Sequence, residues 1–168
     1  LSAAGVLCSL GLAGCALPAG PRRYLVGGGR RDGNRYVVQA LNLDGSLRYE
    51  LPLPARGHGM AAHPFLPLAV CHARRPGAYL ALFNHEQGTL LQLRDADPER
   101  HYYGHGVFSA DGRLLYTTEG VRSTSEGIIG VYELEEDRLT KVDDFSGFGL
   151  GPHEICRLPD GNLVVGVG

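Results

Sequence analysis

Gly104-His-Gly-Val-Phe-Ser-Ala-Asp-Gly112 is the clearest copy of a motif that occurs three times in this chain. The related copies are Gly57-His-Gly-Met-Ala-Ala-His-Pro64 and Pro152-His-Glu-Ile-Cys-Arg-Leu-Pro-Asp-Gly161. The motif histidines follow one another at almost equal intervals and are His58, His105 and His153. A repeat of about 50 residues with strand and turn signals is typical of a β-propeller with one blade per period.

Each motif predicts the start of a blade made of short strands. The histidine opens an apolar strand, and the Asp-Gly pairs at 111–112 and 160–161 predict tight hairpin turns because glycine tolerates positive φ. A second strand such as 113–118 follows, with a third at 79–83 or 128–132 and a fourth at 89–93 or 139–142. A less regular copy covers 24–54, with strands at 24–26, 35–43 and 46–53. We therefore predict an all-β chain with three blades and the first hairpin of a fourth.

Composition agrees with this architecture and excludes one class of partner. The 168 residues are 43% hydrophobic and 20% charged, which is typical of a globular protein. The net charge of −2 excludes an electrostatically driven nucleic-acid binder. Glycine, with 25 residues, is about twice as frequent as usual, as expected for many turns. Because propellers close with about four to eight blades, we expect residues 24–168 to be the N-terminal half of a longer domain.

The N-terminal segment 1–23 predicts export. Residues 1–15 carry no charge and are too short to cross a bilayer, so they are interpreted as a signal-peptide remnant. Leu12-Ala-Gly-Cys15 is similar to a lipobox, which predicts lipid attachment at Cys15; the alternative is a plain signal peptide with an incidental cysteine. Residues 16–23 form a Pro/Gly tether. We expect a periplasmic or cell-envelope protein, anchored by this lipid and without a transmembrane helix.

Two cysteines remain in the predicted domain. Cys71 and Cys156 both lie in apolar runs. A disulfide is possible in an oxidising compartment, but we favour two buried free thiols.

The repeat motifs also carry a family resemblance. Segments 56–64, 103–119 and 151–161 resemble the bacterial domain-of-unknown-function family 1513, and the likeness extends from Tyr24 to the end of the chain. The resemblance implies an exported, seven-bladed envelope propeller, often with a twin-arginine signal. Genes of the family are often neighbours of imelysin-like and di-haem oxidoreductase genes, which implies iron or other metal handling by association. The resemblance implies no activity.

The repeated histidines are the candidate metal ligands. In a propeller the first strand of each blade is innermost, so we expect these histidines at one mouth of the channel. Neutral imidazole is a good ligand for Cu, Zn or Fe. The other interpretation is structural, with each imidazole hydrogen-bonded to a neighbouring strand so that it locks the blades together.

Two further residues are candidate ligands. His72 and Glu119 follow the histidines of their respective repeats at the same spacing and are predicted to extend the same polar face. We expect Glu154, Arg74 and Arg75 to lie nearby.

The sequence favours a binding or scaffold module over an enzyme. Gly-x-Ser-x-Gly, His-Glu-x-x-His and Cys-x-x-Cys motifs are absent, and no catalytic residue is predicted. We therefore predict an envelope binding module linked to metal uptake. One alternative is a metal- or quinone-dependent oxidoreductase with an axial histidine site. Another is a propeller that only binds an envelope protein partner through its rim and loops.

Overall fold

The computed structural model describes residues 23–147 and 149–168, which form four antiparallel sheets. The first sheet has three strands, β1 (Tyr24–Arg31), β2 (Arg35–Asn42) and β3 (Leu47–Leu53), and a single 3-10 turn, Asp32–Asn34, joins the first two. The second sheet has four strands, β4 (Gly57–Ala62), β5 (Leu68–Ala73), β6 (Tyr79–Asn84) and β7 (Thr89–Asp95). The third also has four, β8 (Arg100–Phe108), β9 (Leu114–Val121), β10 (Gly127–Glu135) and β11 (Arg138–Phe145). The last is a hairpin, β12 (Pro152–Arg157) and β13 (Leu163–Val167).

This arrangement confirms the predicted fold class. In each sheet the strands follow chain order, as in the blades of a propeller. The four sheets do not close into a ring, so the described residues form an incomplete propeller.

The first sheet has no inner strand among the residues that the structure describes. Innermost strands of neighbouring sheets contact one another, β4 with β8 and β8 with β12. The second strands β5 and β9 contact the inner strand of the following sheet, β8 and β12 respectively. Strand β1 contacts the inner strand β4 of the following sheet in the same way. The strands β1 to β3 therefore correspond to the second, third and fourth strands of a blade, and no inner strand of this blade lies within 23–147 or 149–168. This explains why the repeat over 24–54 is less regular.

The predicted hairpin turns are present. Gly112 and Gly161 have positive φ values of 77° and 91°. The Asp111 carboxylate accepts a hydrogen bond from the Ser109 hydroxyl at 2.6 Å and fixes the first of these turns. In the second sheet His63 stabilises the corresponding turn in place of the Ser-Asp pair, since its Nδ1 accepts hydrogen bonds from the backbone N–H groups of the two residues after Pro64.

Strand β8 differs most from the prediction. It begins at Arg100, well before His105, whereas His58 and His153 are the second residues of β4 and β12. A register shift interrupts its pairing with β9 between Tyr102 and Gly106, which is the signature of a β-bulge. The bulge contains Gly104 at φ 108°, a conformation that glycine adopts without steric cost.

Two apolar clusters join the sheets. One packs the second sheet against the third and contains Val70, Leu80, Leu82, Leu115 and Tyr132. The other packs the first sheet against the second and contains Val38, Leu51, Cys71, Tyr79 and Phe83. Alternate residues of β5 face opposite neighbours, so this strand is buried on both sides.

The two cysteines of the domain are both free, but only Cys71 is buried. Burial raises the pKa of the Cys71 thiol to about 12, so it stays protonated. Cys156 is exposed in the described structure, on the face of β12 opposite Ile155. No blade among the described residues packs against that face, so the burial of Cys156 stays a prediction.

The predicted export segment falls mostly outside this description. Cys15, the signal remnant and the tether up to residue 22 lie outside the described residues. In the part of the chain that the structure describes, no helix has the length and apolar character needed to span a bilayer.

Candidate functional site

His58, His105 and His153 come together where three successive blades meet. One ring nitrogen from each histidine lies within 4.8 Å of the corresponding nitrogens of the other two. The ring centroids are 4.9 Å apart for His58 and His105, 4.8 Å for His105 and His153, and 6.1 Å for His58 and His153. We call these three residues the histidine cluster.

Glycines beside the histidines allow this approach. A side chain at Gly59 would collide with the backbone carbonyl of Gly104 on the next blade. A Cβ at Gly104 would lie 2.8 Å from Cδ2 of His58. Because both residues lack a Cβ, β4 and β8 pack closely and their histidines meet. The repeated Gly-His-Gly pattern therefore has a steric reason.

The surroundings of His58 and His105 favour the uncharged imidazole. Burial lowers the pKa of His58, and the charges of His105, His153, Arg74 and Arg56 lower it further. Burial also lowers the pKa of His105, although the nearby Glu154 carboxylate acts in the opposite direction. A neutral ring presents an unprotonated nitrogen, which is the form that binds a metal.

Glu154 lies beside one ring of the cluster. Its Oε2 is 3.2 Å from Nδ1 of His105, at ion-pair distance. A carboxylate at this place favours a proton on Nδ1, and in a neutral ring with that proton Nε2 of His105 is the unprotonated nitrogen. That atom is buried and has no hydrogen-bond partner among the described residues.

The structural interpretation of the cluster is supported only in part. His105 links two blades, since it lies on β8 and Glu154 lies on β12. Neither His58 nor His153 makes a side-chain hydrogen bond to any residue within the described ranges. Locking of the blades through these two imidazoles would therefore rest on ring packing alone.

His72 lies beneath the cluster and not in it. It is fully buried on β5, with Nδ1 3.4 Å from the Gly59 carbonyl oxygen and with no partner for Nε2 in the described structure. Burial lowers its pKa to about 4. Its ring occupies the space beside Gly106, where a Cβ would collide with Nε2. The His72 ring thus fills the space between the second and third sheets.

Glu119 belongs to a different polar network. Its carboxylate accepts hydrogen bonds from the Thr117 hydroxyl at 2.8 Å, the Tyr132 hydroxyl at 2.6 Å and the Lys141 ammonium group at 3.3 Å. The prediction that Glu119 extends the histidine face does not match this placement.

The bulge in β8 explains that mismatch. His72 and Glu119 are equally far along the chain from their motif histidines, His58 and His105. The strands themselves repeat at an interval one residue shorter than the histidines do, as the starts of β5 and β9 show. The bulge in β8 absorbs this residue, since it holds two extra residues against β9 whereas the register shift in β4 holds one against β5. His72 therefore faces the third sheet, while Glu119 faces back toward the second.

Sequence reasoning missed two features of this region. Lys141, the single lysine of the chain, pairs with Glu119 from two strands away, and no spacing rule signals such a contact. Arg56 directly precedes the first Gly-His pair and lies close enough to lower the pKa of His58. The position of Arg56 directly before the motif could have predicted that its charge lies near His58.

Comparison with solved structures supports the fold. The chain is similar to a WD40 propeller chain in the crystal structure of a mitotic checkpoint complex, with a TM-score of 0.70 and 17% sequence identity. The match covers 86% of this chain and 44% of that chain. The described chain thus spans less than half the length of its structural neighbour, and at this identity the likeness concerns the fold alone.

Comparison with known sequences identifies the family. No curated protein matches this chain significantly. The model of the family described as "Protein of unknown function (DUF1513)" matches residues 51–168, which include the whole histidine cluster. The chain therefore belongs to the DUF1513 family.

Proposed function

We propose that this protein is a propeller-type binding module of the cell envelope that holds a transition-metal ion at the histidine cluster. The observation that carries the proposal is the convergence of three imidazole nitrogens, one from each of three successive blades, within 4.8 Å. Imidazole suits Cu, Zn and Fe, which are the candidate ions.

The spacing of the nitrogens fits a metal after a small adjustment. Nitrogen ligands about 2.0–2.1 Å from a tetrahedral Zn²⁺ ion are roughly 3.4 Å from one another. Side-chain rotations that move each ring by about an ångström would bring the cluster to this spacing.

The surroundings also fit a metal. Nε2 of His105 is a buried acceptor without a donor among the described residues, and a bound cation would satisfy it. Glu154, on the other nitrogen of this ring, matches the carboxylate–histidine–metal arrangement that orients ligands in metalloproteins. Neutral imidazoles allow binding without first losing a proton.

A three-histidine site leaves coordination positions for another ligand. This supports a binding and delivery role in metal uptake, and it also supports the alternative of a metal-dependent oxidoreductase. We favour the binding role because Glu154, the one carboxylate in contact with the cluster in the described structure, is engaged with His105. The proposal includes export, a lipid at Cys15 and an envelope protein partner, as the sequence predicts.

Metal analysis of the protein purified without chelators tests this proposal. We expect stoichiometric Cu, Zn or Fe in the unchanged protein and its loss in a His105→Ala, His153→Ala variant. A His85→Ala variant is the matched control, because His85 lies on a turn outside the cluster. A metal-free protein that takes up none of these ions on addition would contradict the proposal.

A further inference from the structure

A polar cavity of about 410 Å³ lies beside the histidine cluster, between β1 and β4. The residues of its lining that matter here are Gly28, Gly29, Arg30, Tyr36, Arg56 and His58. Within the described part of the chain, its lining contains two guanidinium groups and no carboxylate. The proposed metal site uses only His58 from this set, so the rest of the cavity has no role in it.

The arginines at this place lack acidic partners. Arg56 and Arg74 are joined through their backbones, by a hydrogen bond of 2.8 Å from the Arg74 N–H to the Arg56 carbonyl. Neither side chain forms a hydrogen bond or ion pair with any residue that the structure describes. The Arg30 guanidinium donates to the side-chain oxygen of Asn34, which is uncharged. Several arginines elsewhere in the chain are instead paired with carboxylates.

Gly28 borders the cavity, on the edge of β1 that has no inner strand among the described residues. Gly28 is the fifth residue of β1, as His72 is of β5, and each faces the inner strand of the following blade. His72 fills that position completely, whereas Gly28 has no side chain, and a Cβ there would make an ordinary van der Waals contact with the Gly57 carbonyl oxygen at 3.5 Å. The first sheet therefore has no side chain at the position where the second has a buried ring.

We propose that this cavity binds a small oxyanion, a carboxylate or phosphate group, held by Arg56 and Arg30 with Arg74 beside them. A guanidinium group matches both oxyanions because its parallel N–H groups donate to two oxygens at once. The Tyr36 hydroxyl supplies another donor. Because unpaired positive charges repel one another, an anion also relieves the repulsion between these arginines.

Binding of this anion does not require a metal. An oxyanion here lies next to His58, so a ligand that carries both a carboxylate and a metal could contact both sites. The two sites remain separable by mutation, since Arg56 is not in the histidine cluster and neither His105 nor His153 lines the cavity.

Calorimetric titration of the metal-free protein with inorganic phosphate and, separately, with succinate tests the proposal. The ionic strength is held constant with sodium chloride so that general screening does not contribute. We expect saturable binding of at least one probe, and the stronger probe identifies the oxyanion class. Loss of a charged hydrogen bond in Arg56→Gln should weaken binding about tenfold or more.

Control variants separate this proposal from simpler effects. Arg113→Gln removes an equal charge from an exposed pair outside the cavity and should bind like the unchanged protein. Gly28→His, which introduces the side chain of the equivalent position in β5, should abolish binding. The His105→Ala, His153→Ala variant should still bind the anion, whatever its metal content. Absence of saturable binding of either probe, or equal affinity in Arg56→Gln, would overturn the proposal.

Discussion

The histidine cluster and the Glu119 network are both polar groups at blade junctions, but they differ in how fully they are satisfied. Around Glu119 every partner lies within the fold, since Thr117, Tyr132 and Lys141 all donate to its carboxylate. In the cluster, only His105 has a side-chain partner among the described residues. The difference separates a buried charge whose hydrogen-bond partners all lie in the third sheet from a cluster in which two of the three imidazoles have no side-chain hydrogen bond within the described residues.

The Glu119 network is built to neutralise a buried charge. Glu119 is 1% exposed, and the Lys141 ammonium group lies 3.3 Å from its carboxylate and 3.2 Å from that of Asp97. Burial and the neighbouring Glu119 charge raise the pKa of Tyr132, which keeps its hydroxyl a donor. A buried ion pair contributes stability only when its remaining atoms are also satisfied, as they are here.

The largest expected effect is the loss of unfolding free energy when the Glu119 network loses its cation. Lys141→Met leaves the Glu119 carboxylate buried without its counter-ion, so we expect the free energy of unfolding to fall by about 3–5 kcal/mol. Urea denaturation measures this change. Arg113→Met, which removes an exposed pair, should cost about 1 kcal/mol or less. A loss under about 1 kcal/mol in Lys141→Met would show that Lys141 does not stabilise the buried Glu119 carboxylate.

The next largest effect tests the close packing of the inner strands. A Cβ at Gly106 would collide with the His72 ring and lie 2.7 Å from the Tyr116 carbonyl oxygen. We therefore expect Gly106→Ala to lower the free energy of unfolding by about 1–3 kcal/mol. Gly27→Ala is the control, because no atom lies within 4 Å of its Cβ position. Equal denaturation midpoints for the two variants would contradict the steric explanation of the motif.

A somewhat smaller effect is the change in unfolding free energy with pH. The pKa of His72 falls from 6.5 to about 4 on folding, so below pH 6.5 the unfolded state binds a proton that the folded state excludes. Stability is therefore full above pH 6.5 and is lost as the pH falls toward 4, by about 2 kcal/mol between pH 7 and pH 5. His58 and His105 act in the same direction.

Denaturation midpoints measured at several pH values check this prediction. His72→Gln should flatten the pH dependence between 7 and 5. A His72→Gln profile parallel to that of the unchanged protein would show that His72 is not the titrating group.

The smallest expected effect tests whether Glu154 supports metal binding through the His105 ring. Glu154→Gln keeps an acceptor near His105 but removes the charge, so we expect metal affinity to fall by about tenfold. The side chain is 60% exposed, so unfolding free energy should change little. Competition titration with a chelator measures the affinity, and Glu136→Gln, on an exposed turn, is the control. Unchanged affinity in Glu154→Gln would remove this carboxylate from the site.

The sequence was sufficient for the repeat, the blades and the convergence of the histidines, because these depend on period and strand alternation. It could not place Glu119, because the bulge at Gly104 holds one residue more than the register shift in β4 and turns that side chain to the opposite face of its sheet. It could not identify β1 as a second strand, since that assignment depends on which strands touch across the junction. The cavity at Gly28 was also invisible, because a missing side chain has meaning only beside the His72 that fills the equivalent space.

The central claim is that the histidine cluster binds a metal through three imidazoles. X-ray absorption spectroscopy of the protein loaded with one equivalent of Cu²⁺ tests it most directly, because multiple scattering from imidazole rings gives their number. We predict three imidazoles in the unchanged protein and two in His153→Ala. A spectrum without imidazole ligands, or one that the His153→Ala substitution leaves unchanged, would contradict the claim.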